Sequence, residues 1–443
     1  MKRTLLIPLT CFFTSILFGQ STIPSLAQGV DIEFDEKQQE IDMNALRRWL
    51  EDKRLTSLKE LGSDLSISAE VRTECQCTNE KQKAQGSSTY IKQRGYEAAT
   101  DKPDLAWDIE FNLMMDYHTD RTWAAVKVEF DNDMGIRSGT VNKVKLEKAY
   151  MGGRLIAGDT FTFDADIGRR YLSNAFDSKI EFGAVFDGSL FRLSKAFENI
   201  GDFYTNIGIF LVDDKFNHYG EVIEIGALKI GRTGFNTKYS LINWYKPFTQ
   251  AQLKKNFTAA YLASPAGQQN VPQPWRYLVN QFLVFYQVYP EWLGKRLFKL
   301  YAAGLINPMA QRIEQTGKTK QNVAWYAGVS MGLVKKAGDW AIDANYQWAQ
   351  AQVAPNVDSS GIGLGNAQGQ GFFTTNINGS GNPTTQATAA GNFNYQGFSI
   401  DALYAFTDNI TIQQQLAMTH TLNKHIGPYR KYKQYEIEFI YAF

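Results

Sequence analysis

The residues of this 443-residue chain with the best chemical potential are four histidines, a closely spaced cysteine pair and a scattered set of carboxylates and cations. Hydrolytic chemistry in a chain of this kind needs a base oriented beside a nucleophile, such as Ser–His or Asp–His. His118 and His425 fall in turn or loop text, His218 in a connection, and only His420 near a strand end. No serine near His420 completes a local motif, so the sequence offers no catalytic residue. Cys75 and Cys77 are separated by one residue, too few for an unstrained mutual bridge. In an oxidising compartment they are disulfide candidates toward other chains, with a strained local disulfide or free thiols as the alternative. Two cysteines alone make a poor metal site, so neither a metal nor a cofactor is expected.

The charged residues gain meaning only from the elements that carry them. Successive side chains of a strand point to opposite faces, and long stretches of this chain keep that period. Trp107, Ile109, Phe111, Leu113 and Met115 oppose Asp108, Glu110, Asn112 and Asp116. Ala124, Val126, Val128 and Phe130 oppose Lys127, Glu129 and Asp131. Trp340, Ile342, Ala344, Tyr346 and Trp348 oppose Asp339, Asp343, Asn345 and Gln347, and similar runs cover 323–333 and 398–406. These runs reach nine residues or more, the length a tilted strand needs to cross a bilayer, and aromatic residues crowd their ends. The strands of a soluble sandwich are shorter, near 5–6 residues.

The chain stops on an aromatic residue that completes such a run: Tyr435, Ile437, Phe439, Tyr441 and Phe443 alternate with Glu436 and Glu438. In a closed barrel the last strand faces lipid on one side and pairs with the first, because hydrocarbon offers no partner for an edge N–H or C=O. The expected fold is all-β: a closed antiparallel transmembrane β-barrel over 63–443, of about sixteen strands, with eighteen the next choice. Doubt about the count lies in 161–178 and 246–275, where an extra strand or a loop folded into the lumen would change it. Short turns are expected at His118–Arg121, Lys336–Gly338 and Thr407–Asn409, and long loops at 75–103, 306–320 and 354–392.

The N-terminal text differs. Lys2 and Arg3 precede a mostly apolar Leu5–Phe18, and Ser25-Leu26-Ala27 closes it with small residues. That is the layout of a secretory signal peptide cleaved after Ala27. Residues 28–62 are expected to be a periplasmic segment with a helix opened by Asp42 and stopped by Gly62. The formal net charge of +1 gives no polybasic face for nucleic acid.

On this fold, alternation turns Asp108, Glu110, Lys127, Glu129, Lys143, Lys145, Glu147, Lys179 and Glu181 toward water. Arg169 and Arg170 are candidates for a loop that enters the lumen, where an always-charged guanidinium suits a constriction. With both signs mixed, weak ion selectivity is expected unless folding separates them.

Three stretches resemble the outer-membrane porins of Gram-negative bacteria: LFKLYAAGLIN at 297–307, WYAGVSMGLVKKAGDWAIDANYQ at 325–347 and NYQGFSIDALYAFTDNITI at 394–412. The terminal alternation resembles the signature by which such proteins are recognised by the barrel-assembly machinery. The resemblance covers roughly a third of the chain. It implies an outer-membrane location with lipid as neighbour, passive diffusion of small hydrophilic solutes and ions, association as a homotrimer and no catalytic residues. The competing expectation is a structural or adhesive surface protein cross-linked through Cys75 and Cys77.

Overall fold

A computed structural model gives the fold. It describes residues 65–83, 87–96, 98, 102–135, 143–158, 160–214, 217–245, 277–310, 312–313, 317–362, 372–373, 376–377, 383–384, 387–389, 393–425 and 429–443. The expected signal peptide, the 42–61 helix and the doubtful zone at 246–275 lie outside these residues.

Sixteen long strands follow one another around a single sheet. They are β1 (Leu65–Lys83), β2 (Leu105–His118), β3 (Thr122–Asp133), β4 (Lys143–Ala157), β5 (Phe161–Tyr171) and β6 (Val185–Phe197). β7 (Gly201–Asp213), β8 (His218–Leu228), β9 (Phe235–Asn243), β10 (Leu278–Val288) and β11 (Phe298–Ile306) continue the wall. β12 (Val323–Gly332), β13 (Trp340–Ala349), β14 (Tyr395–Ala405), β15 (Ile410–Thr421) and β16 (Tyr429–Ala442) complete it. Each strand pairs antiparallel with the next, and β16 returns to β1 with an unbroken register from Glu70↔Ala442 to Lys83↔Tyr429. At the foot of that seam Ala69 and Phe443 exchange two backbone hydrogen bonds of 2.9 Å. The barrel is closed, so no strand edge is left to be satisfied by solvent.

The turns sort by rim. At one rim the chain passes from β2 to β3, β4 to β5, β6 to β7, β8 to β9, β10 to β11 (through 289–297), β12 to β13 and β14 to β15; at the other β1 ends and β2 begins, and likewise for β3 and β4, β5 and β6, β9 and β10, β11 and β12, and β13 and β14. The first connections are short and the second mostly long, so the two ends are called the short-turn and long-loop rims. β1 is longer than the sequence suggests: it runs on to Lys83 and the loop starts after it.

The outer surface is apolar where a soluble protein would be polar. Ile207, Ile209, Ile225 and Leu300 are exposed at its middle, Tyr117, Trp292, Phe406 and Phe443 near the short turns, and Trp107, Trp325 and Tyr219 toward the long loops. An apolar belt of this kind is far larger than the patches soluble monomers tolerate. It matches an aliphatic band between two aromatic girdles.

Candidate functional site: the lumen

A sixteen-strand barrel is wide enough to enclose an aqueous passage, so the site is whatever the inner wall and any inserted segment leave between them. The inserted segment is 172–184, joining β5 to β6. It is apolar at Leu172, Phe176, Ile180 and Phe182, all essentially buried. These side chains join Phe186, Phe210, Val222, Leu283, Tyr301 and Tyr326 from the inner wall in one hydrophobic cluster. Phe176 and Phe182 lie 5.4 Å apart by ring centroids, and Phe210 packs edge-on to Trp244 at 5.1 Å. Part of the lumen is therefore a packed core: strands β6 to β12 carry large apolar residues inward as well as outward, because their inner face meets protein, not water.

Polar anchors fix this segment to five strands. Asn206 on β7 donates from Nδ2 to the Ala175 carbonyl at 3.2 Å, and the Asp177 N–H reaches Glu224 Oε2 of β8 at 3.4 Å. Lys238 Nζ of β9 is 2.9 Å from Asp177 Oδ2, and Gln281 Nε2 of β10 donates to the Asp177 carbonyl at 2.7 Å. On β13, Asp343 receives Lys179 Nζ at 3.2 Å and the Tyr301 hydroxyl at 2.9 Å. A buried charge is tolerated only when paired and hydrogen-bonded, and both Lys238 and Asp343 meet that condition.

A strap from the loop after β13 lies across the segment. Asp358 Oδ1 accepts the N–H groups of Phe182 at 3.1 Å and Ala184 at 3.3 Å, and its carbonyl accepts the Gly183 N–H at 3.0 Å. Ser360 N–H donates to the Ile180 carbonyl at 3.0 Å and its hydroxyl to the Glu181 carbonyl at 2.6 Å. A side chain on Gly183 would place its Cβ 2.4 Å from the Ser359 carbonyl oxygen, so the contact requires glycine. Glu181 and Asp358 are wholly buried, and among the described residues neither Glu181 carboxylate oxygen nor Asp358 Oδ2 has a hydrogen-bond partner. Burial, with Asp358 and Glu224 nearby, pushes the Glu181 carboxyl well up from its ordinary range. Burial pushes Asp358 up to about 8, against the pull of its two backbone N–H donors.

The other half of the inner wall is polar. Glu74 on β1 stands directly across from Glu438 on β16 and from Asp108 on β2, and Asp108 faces Asp133 on β3. One rung nearer the short turns, Arg72 is held between Glu70 at 2.5 Å and Glu438 at 3.2 Å. Its neighbour across is Glu110. Among the described residues Glu74 and Glu110 form no ion pair with a base. On β3 and β4 the signs are balanced: Lys127 pairs with Glu147 at 2.5 Å, and Lys145 with Glu129 at 2.5 Å and Asp131 at 3.6 Å.

On β2 and β3 the side chains of Asp108, Glu110, Lys127 and Glu129 lie on the inward face, and Lys145 and Glu147 reach the same face. Lys143 opens β4 opposite Asp131. Three expectations need correction. Lys179 and Glu181 are not strand residues on a wetted wall; they belong to the inserted segment, one anchored to β13 and the other buried. Arg169 lies in β5, not in a loop, and shares the outward face with Ile167, where it pairs with Asp187 at 2.7 Å. Cys75 and Cys77 lie within β1, also on the outward face, with Trp107 and Ile437 beside the first and Leu105 and Tyr435 beside the second. Arg170 does face inward. It is bound to Asp166 at 3.1 Å and covered by the Tyr150 ring at 3.7 Å. His420 faces outward, with its Nε2 2.7 Å from Gln396 Nε2.

Sequence reasoning missed Tyr150 and Trp123. A bulge between Lys127 and Val128 sets Lys127 against Lys148, shifting which residues of β4 face inward beyond it. Trp123 donates to Asp166 at 2.7 Å. It also missed the strap at 353–362, whose only textual sign is a Pro-Asn-Val-Asp turn ahead of glycine-rich text.

No family model matches the chain, and no curated protein matches it. Among solved structures it is similar to OprB of Pseudomonas putida, with 10% identity, a TM-score of 0.46 and coverage of 91% of this chain and 97% of that one. It is also similar to the outer membrane channel DcaP of Acinetobacter baumannii, with 10% identity, a TM-score of 0.44 and coverage of 87% and 98%. A third similar structure is OmpF of Salmonella typhi, with 10% identity, a TM-score of 0.41 and coverage of 86% and 98%.

Proposed function

We propose that this chain is an outer-membrane porin: a water-filled, cation-preferring channel through which small hydrophilic solutes and ions diffuse passively. The observation that carries the reading is the division of one closed lumen into a packed half and a polar half. The inserted segment narrows the passage without filling it with its own charges, because Lys238 and Lys179 are spent on Asp177 and Asp343. The remaining wall carries Glu438, Glu74 and Asp108 in one row.

Like charges directly opposite one another in a sheet are destabilising. At about 5 Å, two carboxylates repel by about 3 kcal/mol at an effective dielectric of 20 but by less than about 1 kcal/mol in water. Such a row is tolerable where water fills the passage and mobile cations screen it. The same field raises the local cation concentration and lowers that of anions.

Liposome swelling tests the transport claim. Purified protein in liposomes should admit small neutral sugars at a rate that falls steeply with solute size. Liposomes that swell no faster than protein-free ones would contradict it.

A further inference from the structure

The outward face of the β15–β16–β1 seam changes character at the long-loop rim. On the lower part of these strands the outward residues are Tyr441, Phe439, Ile437 and Tyr435 of β16. Two residues on they become Lys433 and Lys431. The register places Lys431 directly across from His420 on one side and from Lys81 on the other, and Lys81 in turn faces Lys92 in the first loop. Lys433 stands one outward position lower, opposite Asn79. Four potentially cationic side chains thus lie side by side across one rung of the outer surface.

This arrangement opposes cross-strand pairing, which favours opposite signs. Lys92 is matched by Asp104 at 3.0 Å. Among the described residues Lys81, Lys83, Lys431 and Lys433 form no ion pair with an acid. What holds them is aromatic: Lys431 Nζ is 5.0 Å and Lys83 Nζ 5.4 Å from the centroid of Tyr90, which meets Tyr429 edge-on at 6.2 Å. Tyr90 and Tyr429 therefore form a small platform that draws lysines together without neutralising them.

Height along the wall says what faces this patch. From Ala69, at the foot of the seam, to Lys81 is 12 residues of β1. At roughly 3.3 Å per residue and a tilt of about 40° that is a rise of about 30 Å, against a hydrocarbon thickness of about 30 Å. The lysine rung thus stands at the headgroup level of the leaflet on the long-loop side, facing outward into it.

The geometry points to a binding surface for phosphate-bearing lipid headgroups, built by Lys81, Lys431 and Lys433 with Lys83 and the Tyr90–Tyr429 platform. Clustered lysines at the membrane surface attract anionic headgroups in just this way. The lipid's acyl chains would lie on the apolar band directly below, along Tyr435, Ile437 and Cys77, giving the surface a second, apolar component that a free anion does not use. The inference rests on the membrane-spanning reading but not on conduction, and it is tested by binding alone.

The test is native mass spectrometry of the detergent-solubilised full chain, titrated with dioctanoyl phosphatidic acid, with dioctanoyl phosphatidylcholine and inorganic phosphate as comparison ligands. Phosphatidic acid should bind at least tenfold more tightly than either. The Lys81→Gln/Lys431→Gln/Lys433→Gln variant should lose that preference. Arginine at the same three positions should keep it, and Lys295→Gln/Lys336→Gln at the short-turn rim should leave it unchanged. Three outcomes would overturn the proposal: equal binding of phosphatidic acid and phosphatidylcholine; inorganic phosphate competing at equal concentration; or an intact barrel, shown by retained heat-modifiable migration, that binds phosphatidic acid normally without the three lysines.

Discussion

Lys238 of β9 and Asp177 of the inserted segment form a pair, Nζ to Oδ2 at 2.9 Å, in which the lysine has no exposure to solvent. It ties a loop to a wall more than sixty residues away in sequence, and with Lys179–Asp343 it anchors the inserted segment in the packed half of the lumen. Removing one partner of a buried pair costs about 3–5 kcal/mol, because the other charge is left uncompensated, whereas replacing both can be nearly neutral. Lys238→Met should therefore loosen the segment and give a noisier, larger channel current, and adding Asp177→Leu should restore much of the quiet state. Single-channel recording of the two variants checks this; identical current noise in Lys238→Met and the wild type would contradict it.

The strap should respond to pH. Asp358 and Glu181 are both raised above the range they would have if released to water, Asp358 to about 8. Between the released and the clasped values the clasped form binds more protons, so its stability falls as pH rises. The clasp should be tightest near pH 4, weaken progressively up to about pH 8 and change little above that through Asp358. Hydrogen exchange of the Phe182 and Ala184 amides, corrected for intrinsic rates, should show protection falling across this window. Asp358→Asn, which keeps an acceptor oxygen for both amides, should flatten the dependence.

Gly183→Ala should weaken the same contact by another route, since the new methyl would meet the Ser359 carbonyl. Overpacking of this sort typically costs about 1–3 kcal/mol. Limited proteolysis should cut the 350–362 strap faster in this variant, while the barrel stays resistant.

The two faces of β1 can be read separately. A nitroxide on Cys75, with Cys77→Ser, should be accessible to oxygen and shielded from a water-soluble nickel chelate. A nitroxide on Glu74→Cys in a cysteine-free background should show the reverse. Equal chelate accessibility at both positions would contradict the assigned faces.

The barrel was legible in the sequence because its strands obey one physical rule, apolar outward and polar inward, that survives without knowledge of neighbours. The Trp107–Met115 run, the terminal Tyr435–Phe443 run and most turns follow from it directly. The inserted segment was legible only as an ambiguity at 161–178, because once a loop packs against the inner wall apolar residues stand on both faces of a strand and the period-two contrast fades. Phe210, Leu283 and Tyr326 are inward for that reason. Arg169 was misassigned because the strand before the segment runs to Tyr171, which puts Arg169 outward by parity. The acidic row could not be seen at all: Glu74, Asp108 and Glu438 are brought together only by the β16–β1 closure and its register.

The charge of the open wall is read most directly from the reversal potential of single channels in a planar bilayer under a potassium chloride gradient. Stepwise conductance with a reversal potential of cation-preferring sign is expected, moved toward zero by Glu74→Gln/Asp108→Asn. Stable channels of anion-preferring sign would contradict the assigned charge of the open wall, and persistent silence from folded protein would contradict the channel itself.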